Sequence, residues 1–353
     1  MKIIFIPDYK HTNAYQRNLA DSLSKQDAEV CFGTFFGLFA VFRSVWKFWK
    51  PDIIHIHWTY PYIFGDNKII TIIKSSEFIF ELFLLKLSGI SVIWTVHNII
   101  NHEGKFKNVE LFFNKILARL CNNVIVHCSF AKKEVMKVYG INGSNITVIP
   151  HGNYIGSYEN VISYSQARER LKLNMKDIVF LNFGQIRPYK GINELITSFE
   201  TLNNPNVRLL IVGKPLNNKV AQDILDRCQN NTHIKTFFGF IPDNEVQVYM
   251  NAADIVILPY KDILTSGAVI IAMSFGRPII ATLTGCLADT LDEKGSFLYL
   301  KTEGGLLETM QRVLNTDKAK LQSMGAHNLR LAEGLGWDEI AKKTCNVYMK
   351  CSK

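Results

Sequence analysis

Two cations three residues apart stand in the segment Asn182-Phe183-Gly184-Gln185-Ile186-Arg187-Pro188-Tyr189-Lys190-Gly191. The apolar run before them, Ile178 to Phe183, reads as a buried strand, and a helical pattern begins near Gly191. Gly184 allows a close backbone approach where the strand ends. Arg187 offers a planar fork of donors and Lys190 a point charge. A helix N-terminus favours anions through its unpaired amides and its macrodipole. The pattern suits a diphosphate; taken alone, it is equally a pair of solvated loop cations. No GxGxxG fingerprint accompanies it, which weakens a dinucleotide reading.

A second segment repeats the logic. In Leu258-Pro259-Tyr260-Lys261-Asp262-Ile263-Leu264-Thr265-Ser266-Gly267-Ala268 an apolar strand runs into a turn and then a helix. Thr265 or Ser266 is the natural N-cap, and the amides of Ser266, Gly267 and Ala268 can hold a phosphate. The plain alternative is a good cap and nothing more. A third candidate is His97 in Trp94-Thr95-Val96-His97-Asn98, just past a strand. There an imidazole can bind a sugar or move a proton, or it can be a hydrogen-bonded structural histidine. His55 and His57 alternate within a strand and read as structural, and His151 is ambiguous.

These residues need a scaffold, and the sequence supplies one twice. Apolar runs at 2–7, 52–57, 92–96 and 124–127 alternate with helical patterns. After a polar stretch, 154–175, read as a linker, the pattern restarts with runs at 178–183, 208–212, 234–238, 255–258 and 278–281. The alternation predicts two doubly wound parallel sheets, with the ligand crevice between the halves at the strands' carboxyl ends. The expected domains are 1–155, 176–335 and a final helical segment, 336–353; a chain of 353 residues has room for both sheets.

Bulk properties exclude several classes. Net charge is +9, most of it in residues 1–150, yet no Lys/Arg block or nucleic-acid module is present, so no nucleic-acid partner is expected. The seven scattered cysteines form no CxxC pair and no zinc spacing, and read as the thiols of a cytoplasmic protein. The N-terminal apolar run stops at Pro7, too short for a signal peptide, and no stretch of about 20 apolar residues predicts a spanning helix. Residues 32–49 are dense in Phe and Trp, with Arg43, Lys47 and Lys50 at one end; 78–87 add Phe78, Phe80, Leu82, Phe83, Leu84 and Leu85. They are either core helices or an interfacial surface for an anionic membrane.

The order of motifs resembles the GT-B glycosyltransferases, in particular the GT4-like group. The resemblance runs through the Gly184–Gly191 loop, Ile211-Val212-Gly213, Phe238-Gly239-Phe240-Ile241-Pro242, Ala253–Pro259 and Ala272-Met273-Ser274-Phe275-Gly276-Arg277-Pro278. It implies an α/β GT-B architecture of two Rossmann-like domains facing a central cleft, with a final helix crossing back to the first domain. It implies that Arg187, Lys190 and the Thr265–Ala268 turn hold the donor diphosphate. Gly184, Gly213, Phe240, Ile241, Tyr260 and Asp262 would lie along the nucleoside and sugar. His97 maps onto the family's sugar-contacting histidine. The loop from Asp8 to Tyr15 would face the substrates, with Lys10, Asn13, Tyr15 and Asn98 on the acceptor side. Asp8 and Glu103 are the candidate general bases if the reaction inverts.

One departure from the family stands out. The two glutamates that this group carries eight positions apart fall on Ile263 and Ile271, and Asp262 is the nearest carboxylate. The implied activity is metal-independent transfer of a hexose, without a cofactor. The donor would be a UDP- or GDP-sugar and the acceptor a lipid-linked saccharide or other oligosaccharide, at the inner face of a bacterial plasma membrane. A GT-B epimerase or phosphorylase, or a non-catalytic nucleotide-sugar-binding partner, are the alternatives. The apolar N-terminal segments and the retained Arg187 and Lys190 favour the transferase.

Overall fold

The computed structural model describes residues 1–101, 104 and 106–352. The chain divides into two units, Met1–Gly152 together with Leu335–Lys353, and Asn153–Gly334. The first holds six strands: β1 (Lys2–Ile6), β2 (Glu29–Phe32), β3 (Ile53–Ile56), β4 (Ser91–Thr95), β5 (Asn123–Val126) and β6 (Ile146–Val148). They pair in the order β2-β1-β3-β4-β5-β6, all parallel. Continuous runs such as Ile3-Ile4-Phe5-Ile6 are fully buried because helices cover both faces of the sheet. The helix Ala14–Ser24 packs against the helix Trp337–Cys351, and Leu19 and Leu23 share one core with Ile340, Val347 and Tyr348.

The second unit repeats the plan with β7 (Ile178–Phe183), β8 (Val207–Gly213), β9 (Ile234–Phe238), β10 (Ile255–Leu258), β11 (Ile279–Thr282) and β12 (Ser296–Tyr299). The order is β12-β11-β10-β7-β8-β9, again parallel throughout. Strand order reverses between β7 and β10 here, and between β1 and β3 in the first unit. At such a switch point the loops leaving the two strands part in opposite directions and open a crevice beyond their carboxyl ends.

Residues 153–175 are not a linker; they are built into the second unit. Asn153 donates to the Ala332 carbonyl (2.8 Å), and the Tyr154 amide donates to Ser274 Oγ (2.9 Å). A capping box of Ser163 and Gln166 starts the helix Tyr164–Arg170. Arg168 on that helix is fully buried. Its guanidinium pairs with Asp254 (2.5 Å) and donates to the carbonyls of Ala252 (3.1 Å), Asn174 (2.7 Å) and Asp177 (2.9 Å). A charge is stable inside because every face of it is satisfied.

The aromatic segment forms the helix Ala40–Phe48, lying on the long helix Lys68–Leu87. Carboxylates of the long helix cap the short one: Glu77 accepts from the Phe39 amide, and Glu81 from the Phe42 amide (2.7 Å). The outer surface is apolar. Phe36, Trp46 and Trp49 are 70%, 85% and 69% exposed, and Ile69, Ile73, Phe80 and Leu87 are exposed along the long helix. Among the described residues no helix is long and apolar enough to cross a membrane. Five cysteines, Cys31, Cys121, Cys228, Cys345 and Cys351, are free thiols.

Replacing Arg168 with Ala removes the cation paired with Asp254 and a donor to three carbonyls, and should cost about 3–5 kcal/mol of stability. Urea unfolding of the full chain measures it, and a loss within experimental error contradicts the assigned packing.

Candidate active site

In the second unit the two loops singled out by sequence flank the β7/β10 switch point. Gly184 ends β7 at φ +116, and a Cβ there would stand 3.4 Å from Lys190 Nζ and 3.8 Å from Ala268 Cβ. The Lys190 ammonium and the start of the helix Gly267–Ser274 therefore flank one bare stretch of backbone. A Cβ on Gly213 would collide with the Gly184 carbonyl at 1.8 Å, so only glycine lets the ends of β7 and β8 come this close. Ser266 caps the helix, its Oγ accepting from the Val269 amide (3.4 Å). That leaves the first-turn amides of Gly267 and Ala268 without intrahelical partners. Thr265 is partly exposed in the turn before the cap.

Tyr260 is fully buried, so it braces this site from behind. Its hydroxyl bonds Ser266 Oγ (3.0 Å), and Lys190 Nζ lies over its ring at 5.4 Å. Burial, and secondarily the Arg187 charge, lower the Lys190 pKa to about 8. Arg187 donates to the Ile186 and Lys214 carbonyls (3.0 and 3.1 Å), which holds its stem against the loop after β8. Phe240 projects past β9 with 69% of its surface exposed, Ile241 is partly covered and Asp262 is exposed.

The first unit collects histidines. His57 follows β3, His97 follows β4, His127 follows β5 and His151 follows β6, all at one sheet edge, with His55 inside β3. Trp58 stacks on His97 (4.7 Å between centroids, 11°), and Tyr15 meets its edge at 5.0 Å. His127 Nε2 lies 3.3 Å from His97 Nδ1, and His127 Nδ1 lies 3.0 Å from the Ile149 carbonyl. His55 bonds the Tyr348 hydroxyl (2.6 Å) and Thr95 Oγ1 (2.7 Å). Both ring nitrogens of His57 are buried without a hydrogen-bond partner. Burial lowers the pKa of His127 to about 4 and of His55 and His151 to about 3, and holds His57 and His97 well below the usual value.

The remaining expectations fall in different places. Asp8 is partly exposed beyond β1, accepting from the Lys10 amide (3.3 Å), and the Lys10 ammonium sits over Phe32 at 5.0 Å. Asn13 accepts from the Gln16 amide (3.4 Å) as the cap of the first helix, and Tyr15 is buried at 4% exposure amid the histidines. Both serve the scaffold more directly than an open acceptor surface. Asn98 is exposed, and Glu103 lies outside the described residues. Sequence reading missed Trp58 and His127. The signal available was a histidine just past four successive strands, which shows only once the strand ends are fixed. Among the described residues no group of three His, Cys, Asp or Glu is disposed to hold a metal ion.

Residues 163–326 match the family model for glycosyl transferases group 1, and residues 31–153 the model for Glycosyltransferase Family 4. The chain is a GT-B, GT4-like glycosyltransferase. The transferase is 25% identical over 292 residues to the GDP-mannose:glycolipid 4-beta-D-mannosyltransferase of Xanthomonas campestris pv. campestris, covering 82% of this chain and 76% of that one. Its fold is similar to Anabaena HepE in complex with UDP and glucose, with TM-score 0.79 at 18% identity over 99% and 100% of the two chains. It is also similar to sucrose-phosphate synthase from Thermosynechococcus elongatus, with TM-score 0.76 at 17% identity over 99% and 98%.

The buried histidines of the transferase fix the sign of its acid response. Unfolded, each takes up a proton near pH 6.5; folded, each stays neutral, so acidification favours the unfolded chain. Glu81 and Glu110, raised to about 7 by burial, act the other way, because they take up protons in the folded state. With five histidines against two carboxyls, the proton uptake on unfolding rises toward three, so the loss of stability should steepen to at most about 4 kcal/mol per pH unit as the pH falls from roughly 6.5 to 5. Urea unfolding at several pH values measures the slope, and flat stability across that interval contradicts the buried, neutral assignment.

Proposed function

We propose that this transferase moves a hexose from a GDP- or UDP-sugar to a lipid-linked saccharide during assembly of a bacterial surface polysaccharide. The observation that carries the reading is the cradle at Gly184, bounded by the Lys190 ammonium and by Ala268 at the start of the helix Gly267–Ser274. Breaking the bond between sugar C1 and the phosphate oxygen leaves the electron pair on the diphosphate. Arg187, Lys190 and the first-turn amides of Gly267 and Ala268 offset that charge where it develops. They supply the neutralisation that a divalent ion gives elsewhere. The acceptor hydroxyl attacks C1 and gives up its proton, for which Asp8 is the described candidate base. His97 contacts the donor sugar, and Phe240 and Ile241 lie along the base. The Xanthomonas relative's GDP-mannose donor favours GDP over UDP, and its glycolipid acceptor supports a lipid-linked one.

The exposed aromatic surface of the first unit supports work at an anionic membrane. Trp46 and Trp49 suit the headgroup region, and Arg43, Lys47 and Lys50 add attraction to acidic lipids. The protein would then sit peripherally on the cytoplasmic leaflet. Trp46→Ser with Trp49→Ser should abolish sedimentation with phosphatidylglycerol vesicles, while the parent binds in a salt-sensitive manner. Binding by the double variant, or binding equally strong to neutral vesicles, contradicts this.

Lys190→Ala should lower kcat by roughly 10²–10³, with loss of nucleotide-sugar binding by calorimetry. In the parent, kcat/KM should fall above about pH 8, where the free enzyme's Lys190 gives up its proton. Unchanged turnover in the variant rejects the diphosphate site.

A further inference from the structure

We propose that Tyr260 is a positioning residue that turns the hydroxyl proton of Ser266 outward, so that Ser266 donates a hydrogen bond to the donor diphosphate as well as capping its helix. This rests on the reading in which the cradle at Gly184 holds the diphosphate.

The direction of one hydrogen bond carries the inference. Tyr260 is fully buried, and burial holds its phenol well above the usual value, so it keeps its proton. Among the described residues the one hydrogen-bond partner of that hydroxyl is Ser266 Oγ, 3.0 Å away. Were Ser266 the donor, the phenol proton would be buried with no acceptor, a costly arrangement. Tyr260 therefore gives and Ser266 Oγ receives. The same oxygen also accepts from the Val269 amide (3.4 Å). A hydroxyl oxygen has two lone pairs, and both are now taken, so Ser266 can act toward anything else only as a donor. Its proton has no acceptor among the described residues. With Tyr260 and Val269 on the inner side of the oxygen, that proton points away from the core. Residues 265–268 are all partly exposed, and Ala268 borders the bare backbone of Gly184. A donor-only hydroxyl beside Lys190 selects an anionic oxygen.

Tyr260 is itself held firmly. Thr282 Oγ1, buried at the end of β11, donates to the Tyr260 carbonyl (2.8 Å), and the Tyr260 amide donates to Leu258 (3.0 Å). The next amide, of Lys261, donates to the Tyr189 carbonyl (2.8 Å). A Cβ on Gly191 would stand 2.0 Å from the Pro259 carbonyl, so the loops after β7 and β10 meet backbone to backbone. One ring thus serves both walls of the cradle: its face lies under the Lys190 ammonium and its hydroxyl fixes the Ser266 proton.

The test is calorimetry of the full chain with GDP, UDP and inorganic pyrophosphate. Ser266→Gly removes the hydroxyl and keeps a competent cap, since glycine caps nearly as well as serine. It should weaken binding about 10- to 10²-fold, the worth of a hydrogen bond to a charged group, and leave the urea unfolding midpoint almost unmoved. Ser266→Thr keeps hydroxyl and cap and should retain most of the affinity. Tyr260→Phe reads the direction of the bond. If Tyr260 donates, its loss weakens binding about 2- to 10-fold. If Ser266 were spending its proton on Tyr260, the same change would release that proton and tighten binding. Undiminished binding in either Ser266→Gly or Tyr260→Phe overturns the proposal, and Ser266→Gly decides alone if Tyr260→Phe fails to fold. No uptake of any of the three ligands by the parent overturns the diphosphate reading itself, and the proposal falls with it.

Discussion

Six parallel strands in each unit finish along one edge, and everything with a chemical assignment hangs from such an edge. A parallel ladder leaves no choice here, since each crossover returns the chain to the opposite edge before the next strand begins. The loops after β7 and β10 are thrown apart where strand order reverses, and Arg187, Lys190 and the capped helix at Gly267 inherit their positions from that reversal. The residues that make the crevice usable are largely backbone devices. Gly184 and Gly213 remove bulk, Ser266 closes the cap, and Tyr260 fills the space behind with a ring whose hydroxyl is already committed.

The first unit solves a different problem with the same edge. Polar rings are packed where apolar residues would be cheaper, and most of their nitrogens are tied to a carbonyl, a hydroxyl or another ring. His57 is the exception, with both nitrogens buried and unpartnered. Such a group lowers stability by roughly 1–3 kcal/mol unless something compensates. Tyr15 contacts four of these rings at once, so the shape of the cluster depends on one residue of the first helix.

Much of this was legible in the sequence. Uninterrupted apolar runs marked nine of the twelve strands, because a strand covered on both faces needs no polar alternation. The three that escaped, β2, β6 and β12, are short and lie toward the sheet edges, where Glu29, Thr147 and Ser296 break the run. The stretch 154–175 read as a linker because Arg168 and its neighbours are polar. The partner that makes Arg168 a core residue, Asp254, lies 86 positions away, beyond any local window. For the same reason Trp58 and His127 went unnoticed, since neither has a neighbour in sequence that hints at His97. The cradle at Gly184 was readable because its ligand-facing parts are consecutive, and backbone geometry is written locally.

The helix Trp337–Cys351 belongs to the first unit although the whole second unit precedes it in the chain. Tyr348 completes the hydrogen bonding of His55, and Ile340 and Val347 close the core around Leu19. During synthesis the second unit is continuous and can fold as it emerges, whereas the first must wait for its missing wall. At roughly 5–20 residues per second that wait is about ten seconds or more. Through it a six-stranded sheet without its covering helix and an exposed aromatic helix share the ribosome's exit. A nascent chain of this design has reason to meet a chaperone, or a lipid surface, before it is complete.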